Sequence, residues 1–133
     1  LEIDALGGEP GVFTARWYRL NDGMSAAAPL NDERMIFAAN RAKTLRELSG
    51  KTNRGAQFKT VITLIRIAQN LTVQVEGVVR GRIATEEYGQ GGFGYDPIFI
   101  PEGYDKTFGE LPADLKNSIS HRARAMEALV KIL

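Results

Sequence analysis

A mixed α/β fold of α+β character is predicted by three features of the 133-residue sequence. Residues 58–68 are dense in β-branched side chains (Thr60, Val61, Ile62, Thr63, Ile65, Ile67) and read as a strand. Residues 71–83 follow at once, with Leu71, Val73 and Val75 alternating with Thr72, Gln74 and Glu76. Apolar residues recur at helical spacing on both sides of this pair, at 35–48 and at 119–133. The order is strand, helix, several strands, helix, without internal repeats or low-complexity tracts.

Each element has a local cause. Residues 1–6 suit a short strand with Leu1 and Ile3 on one face, and Gly7, Gly8, Pro10 and Gly11 then force a turn. Residues 20–30 lack a pattern and read as a loop. Asn31 or Asp32 can cap a helix whose core stripe is Met35, Ala39, Ala42, Leu45 and Leu48, and Gly50 can close it. Gln69 and Asn70 can turn the first long strand into the second, in which Gly77 and Gly81 mark bulges or bends. Residues 95–100 read as another short strand. The last helix carries Ile119, Ala123, Met126, Val130 and Leu133 as its stripe, with Ser118 or Ser120 as cap.

Composition narrows the function. Apolar residues at 44% and charged residues at 25% suit one globular domain over 1–133. Lys and Arg total 17 against 16 Asp and Glu, so the basic excess of a general nucleic-acid binder is missing. With no cysteine, disulfides and thiolate zinc sites are excluded, and a reducing compartment such as the cytoplasm is expected. No run approaches the roughly 20 apolar residues of a membrane-spanning helix. The opening LEIDAL reads like the middle of a strand, as though the sequence begins inside a fold.

Two stretches carry chemistry. Gly89, Gly91 and Gly94 have the G-x-G-x-x-G spacing of a dinucleotide loop. That loop needs a helix after it, yet YDPIFIP follows, and Pro97 with its β-branched and aromatic neighbours opposes one. No Gly-Lys-Ser/Thr closes a P-loop either. On composition alone the segment is a flexible loop between strands. Glycines nevertheless let backbone approach a ligand, Phe93 or Tyr95 can stack on a base, and Asp96 supplies an acceptor.

The second stretch is KNSISHR, Lys116 to Arg122. Lys116, Arg122 and a helix start gather donors with almost no acceptor in the local sequence. A capped helix with a solvated basic start explains them equally, and His121, the sole histidine, has no second histidine for a metal pair. Glu86 and Glu87 make a poor carboxylate dyad, since neighbours on a strand point to opposite faces. Glu76 and Arg16 read as solvated residues.

Taken together and in this order, these stretches resemble the inosine/xanthosine triphosphate pyrophosphatase family. LGGEPGVFTARW (Leu6 to Trp17), GGFGYDPIFIPEGYDKTFGEL (Gly91 to Leu111) and KNSISHRARAMEAL (Lys116 to Leu129) carry the match. Asn40 with Leu45 and Leu48, Arg54-x-Ala56-x-Phe58 and Glu76-Gly77 add weaker points between them. The resemblance implies hydrolysis of ITP, dITP and XTP to the monophosphate and pyrophosphate, with Mg²⁺ required. It implies a long twisted mixed sheet with flanking helices and a homodimer that cleanses the nucleotide pool. Phe93, Gly94, Tyr95 and Asp96 would line the nucleotide site, Phe93 against the base, with Lys116, His121 and Arg122 also on the base.

The residues agree with part of this. A 6-oxo purine presents an acceptor where adenine presents a donor, so Lys and Arg would accept the first and refuse the second. The family's Ser/Thr-Gly-Asn-x-x-Lys phosphate loop, its metal-binding Glu and its Asp-Asp-Ser-Gly segment have no counterpart in the sequence. The segment's Asp is the general base, so no catalytic residue and no metal ligand is assigned within 1–133. The sequence is expected to be about the C-terminal two-thirds of such a pyrophosphatase, lacking the N-terminal strand and helix. It would hold the base-recognition side and turn over little by itself. The rival expectations are a non-catalytic nucleotide-binding module and an interaction domain.

Overall fold

The computed structural model describes residues 1–19 and 32–133. The loop expected over 20–30 and the alternative cap Asn31 lie outside the described residues. The sheet runs in the order β1 (Glu2–Ile3), β2 (Gly55–Arg66), β3 (Leu71–Ile83) and β4 (Phe99–Pro101). Flanking it are α1 (Glu33–Glu47), α2 (Ala113–Ile119) and α3 (His121–Ile132). The α/β class and the long sheet match the expectation. Among the described residues every strand pairing is antiparallel, where the resemblance implied a mixed sheet.

The long hairpin follows from the alternation. β2 and β3 pair without interruption from Gly55 opposite Arg82 to Arg66 opposite Leu71. A 3-10 turn over Ile67–Gln69 leads into Asn70, whose φ of 50° is a left-handed conformation that Asn tolerates. Gly77 and Gly81 are not bulges, because the register runs through both. They are points of close approach. A Cβ on Gly77 would lie 2.0 Å from the His121 carbonyl oxygen, and one on Gly81 2.3 Å from that of Ile100.

α1 begins where Asp32 accepts a hydrogen bond from the Arg34 amide at 2.9 Å, and Gly50 adopts a φ of 76° just after its end. Its expected apolar stripe is largely wrong. Met35 is 55% exposed and of the stripe only Leu48, at its end, is buried, whereas Asn40, Lys43 and Thr44 are buried beside it. The backbone of residues 15–18 explains the exchange. Asn40 accepts from the Tyr18 amide at 2.8 Å and donates to the Ala15 carbonyl at 3.1 Å, and Lys43 donates to the Trp17 carbonyl at 3.0 Å. Buried main-chain groups need partners, and an apolar stripe supplies none.

The expected last helix is two. Ser120 separates α2 from α3, and its hydroxyl accepts from the Ala123 amide at 3.2 Å, a capping bond. Ala125 is the buried residue of α3, while Met126, Val130 and Leu133 are exposed. Gly77 is the cause, since it lets the α3 backbone lie directly on β3 and turns Ala125 inward. The strand expected over 95–100 is shorter. Asp96–Ile98 forms a 3-10 turn around Pro97, and β4 starts at Phe99.

The core gathers Ile3, Leu48, Val79, Ile83, Ile98, Phe99 and Phe108 on the sheet. Arg54 ties its rim, donating to the carbonyls of Leu48, Ile83 and Ala84 at 2.9, 2.7 and 2.8 Å.

Candidate functional site: a purine-sized cleft

A cleft of about 500 Å³ opens between α1, the 86–97 loop and the α2–α3 junction. Phe93, Gly94, Tyr95, Asp96, Lys116, His121 and Arg122, the residues singled out in the sequence, all line it. Phe37, Asn40 and Phe58 line it as well. The volume falls within the range typical of small-molecule sites.

Asp96 organises one wall. It is buried, and Oδ2 accepts from the Phe93 amide at 3.0 Å and from Lys116 Nζ. The local sequence offers Lys116 no acceptor, and the fold brings one from twenty residues away. Gly92 makes this possible: its φ is 70°, and a Cβ there would lie 2.0 Å from Asp96 Oδ2. The glycines chosen by spacing, Gly89, Gly91 and Gly94, do not include it. The signal was its place directly before Phe93.

Phe93 is half-exposed, a free aromatic surface in the cleft. Lys116 Nζ lies 4.4 Å and Arg122 Cζ 5.2 Å from its ring centroid, both at cation–π distance. Tyr95 plays a different part. It is buried, its hydroxyl donates to the Thr14 carbonyl at 2.7 Å, and burial pushes its phenol up to about 12. It pins the loop to residues 14–15 and stays neutral.

His121 opens α3 and stacks on Phe58, with ring centroids 5.2 Å apart and planes 19° apart. Burial first, then the neighbouring Arg122 cation, lowers its pKa to about 4. It is therefore a neutral imidazole at pH 7, able to donate and to accept, beside the side chains of Lys116 and Arg122.

The other sequence candidates lie elsewhere. Glu86 accepts from the Tyr88 hydroxyl at 2.7 Å and Glu87 pairs with Arg41 at 2.9 Å, so the two carboxylates do not act together. Glu76 forms a loose pair with Lys59 at 3.6 Å, and Arg16 lies over the Phe13 ring. Sequence reasoning missed Arg41, which donates to the Gly94 carbonyl at 2.9 Å. Its i, i+4 spacing from Phe37 was the available signal. Among the described residues no three His, Cys, Asp or Glu side chains lie together; Mg²⁺ commonly takes only one or two carboxylates and completes its shell with water and substrate phosphates. No helix among them is long and apolar enough to cross a membrane.

The arrangement is an aromatic face ringed by fixed donors and one buried carboxylate, which suits a flat heterocycle with polar edges. Known proteins resemble the chain in sequence and in shape. The dITP/XTP pyrophosphatase of Chlorobaculum tepidum is 43% identical over 98% of this chain and 57% of its own length. That of Bacillus subtilis is 45% identical over the whole chain and 61% of its own length. The chain thus spans about three fifths of the length of these curated relatives. The Staphylococcus aureus Ham1 protein superposes with a TM-score of 0.82 at 37% identity, over 98% of this chain and 61% of that one. A family model described as the Ham1 family matches residues 1–132, and with the cleft, the sheet and these relatives in agreement, the chain belongs to the Ham1 family.

Proposed function

We propose that this chain is the base-recognition side of a pyrophosphatase that hydrolyses ITP, dITP and XTP to the monophosphate and pyrophosphate. One observation carries the reading: Asp96, Lys116, Arg122 and Phe93 converge in one cleft, an acceptor and two donors around an aromatic face. The relatives named dITP/XTP pyrophosphatases support the substrate class. Phe93 stacks on the base, and Lys116 and Arg122 donate to the oxo groups of a 6-oxo purine. Tyr95 holds the loop and neutral His121 packs the floor against Phe58.

In the whole reaction water attacks phosphorus, the α–β anhydride bond breaks, and pyrophosphate leaves. Mg²⁺ serves such reactions by neutralising phosphate charge. What supports assigning base recognition to this chain is the cleft itself, in which Phe93, Asp96, Lys116 and Arg122 meet. A homodimer is supported by the exposed Val61 and Ile65 on β2 and Met126 and Val130 on α3. A cytoplasmic place is supported by the absence of cysteine.

Calorimetry with IMP and AMP tests the reading. IMP is expected to bind more tightly, and Arg122→Ala to abolish the preference. Equal binding of the two nucleotides by the folded protein overturns the assignment of the base pocket.

A further inference from the structure

Helix α1 reaches the purine loop at two points one turn apart. Arg41 donates Nε to Glu87 Oε1 and an η-nitrogen to the Gly94 carbonyl, both at 2.9 Å. Its side chain is only 15% exposed. Phe37 lies four residues earlier, on the same helical face. Its ring centroid is 6.3 Å from that of Phe93, with the planes tilted by 41°.

The loop needs such a hold. Gly91, Gly92 and Gly94 surround Phe93, and glycine backbone loses the most freedom on ordering. A loop that must be ordered by its ligand binds more weakly than one ordered beforehand. α1 is itself fixed along an adjoining face, where Asn40 and Lys43 hold the backbone of residues 15–18. A fixed helix therefore carries the hook from which the glycine-rich loop hangs.

We propose that Arg41 is a positioning residue for purine recognition: it latches α1 to the Gly94 carbonyl and, with Phe37, sets where the Phe93 ring stands in the cleft. This rests on Phe93 as the stacking wall. Glu87 orients the guanidinium and is the latch's second half. Glu87, the carboxylate of the pair, is 43% exposed, and an ion pair with a solvated partner contributes little to stability, so the latch shows itself in binding more than in melting.

A double-mutant cycle with IMP, read by calorimetry, tests it. Arg41→Ala is expected to weaken binding by about threefold to tenfold while the melting temperature changes little. Arg41→Lys, which has one donor head in place of a fork, restores only part of the loss. In a Phe93→Leu background Arg41→Ala is expected to have almost no further effect, because the latch acts through that ring. Losses that simply add, or Arg41→Ala binding as tightly as wild type, overturn the latch. Should Arg41→Ala fold poorly, Glu87→Ala replaces it, with the same pattern expected at smaller size and unchanged binding refuting it. Failure of the wild type to prefer IMP over AMP overturns the reading of the pocket, and the latch with it. Preserved preference with an indifferent Arg41 overturns the latch alone.

Discussion

Gly77→Ala adds one methyl group at the point where α3 rests on β3. That methyl would lie 2.0 Å from the His121 carbonyl oxygen, 2.3 Å from the Ala125 nitrogen and 2.9 Å from its Cα. All three are backbone atoms of α3, so no side chain can rotate away. Ordinary contact begins at 3.4 Å, and the start of α3 must therefore retreat by about 1.4 Å. A gap of about 0.5–1 Å already forfeits about a quarter to a half of the dispersion attraction between facing atoms, and this one is wider. Overpacking in well-packed cores costs about 1–3 kcal/mol, and relief by backbone alone belongs at the top of that range. About 3 kcal/mol in a chain of this length lowers the melting temperature by about 10–15 °C. Circular dichroism melting measures it directly. IMP binding should fall as well, since His121 and Arg122 sit on the turn that lifts. Gly103→Ala is the comparison: its φ is 89° with nothing within 4 Å, so only backbone strain of about 1–2 kcal/mol is expected. A Gly77→Ala protein melting within about 2 °C of wild type would refute the packing argument.

Three further outcomes are expected. Gly92→Ala places a methyl 2.0 Å from Asp96 Oδ2; paired melting and titration should show IMP binding reduced at least about tenfold with a drop of only a few degrees, and wild-type affinity would contradict it. Arg54→Ala removes a charged donor from three carbonyls, of which that of Leu48 keeps the Lys51 amide, and should cost about 2–4 kcal/mol in urea unfolding, with a loss under about 1 kcal/mol counting against it. His121 is held neutral, with a native pKa of about 4 against an ordinary 6.5; the unfolded chain takes up its proton first on acidification, so this contribution is complete above 6.5 and is lost as pH falls towards 4. The melting temperature of His121→Phe should therefore vary less across that window than that of wild type, and parallel profiles would exclude the assignment.

Much of the site was legible in the sequence because its residues are contiguous. FGYD lies within one loop and KNSISHR spans the junction of α2 and α3, so position along the chain already places Phe93 near Asp96 and His121 near Arg122. The hairpin was legible for a related reason, since alternation and turn chemistry are both local. Contacts between distant segments were not. α1 was misread because its buried face answers to the backbone of residues 15–18, and Asn40 and Lys43 look like surface residues until those carbonyls are in place. Gly77 was read as a bend because a strand glycine has two ordinary meanings, and only the position of α3 selects close approach. Arg41 was missed because its partners are 46 and 53 residues away.

On the proposed function, the Lys116–Asp96 pair is what would let the cleft tell purines apart. Side by side it presents a donor and an acceptor. A 6-oxo purine presents the complement, an O6 acceptor beside an N1–H donor. Adenine reverses both, so it meets donor with donor and acceptor with acceptor, and unpaired polar groups inside a site are costly. The pair is also satisfied when the cleft is empty, so a base must exchange contacts without leaving either partner bare; only a 6-oxo edge returns what it displaces. Asp96→Asn separates the two halves of this argument. The amide keeps the size and offers an oxygen to the Phe93 amide, but the charge that holds Lys116 is gone and an N–H can now face the purine N1. Preference for IMP over AMP is expected to shrink by about tenfold, with AMP gaining in absolute affinity. Loss of IMP binding with no gain for AMP would show that Asp96 acts through the loop alone and does not read the base.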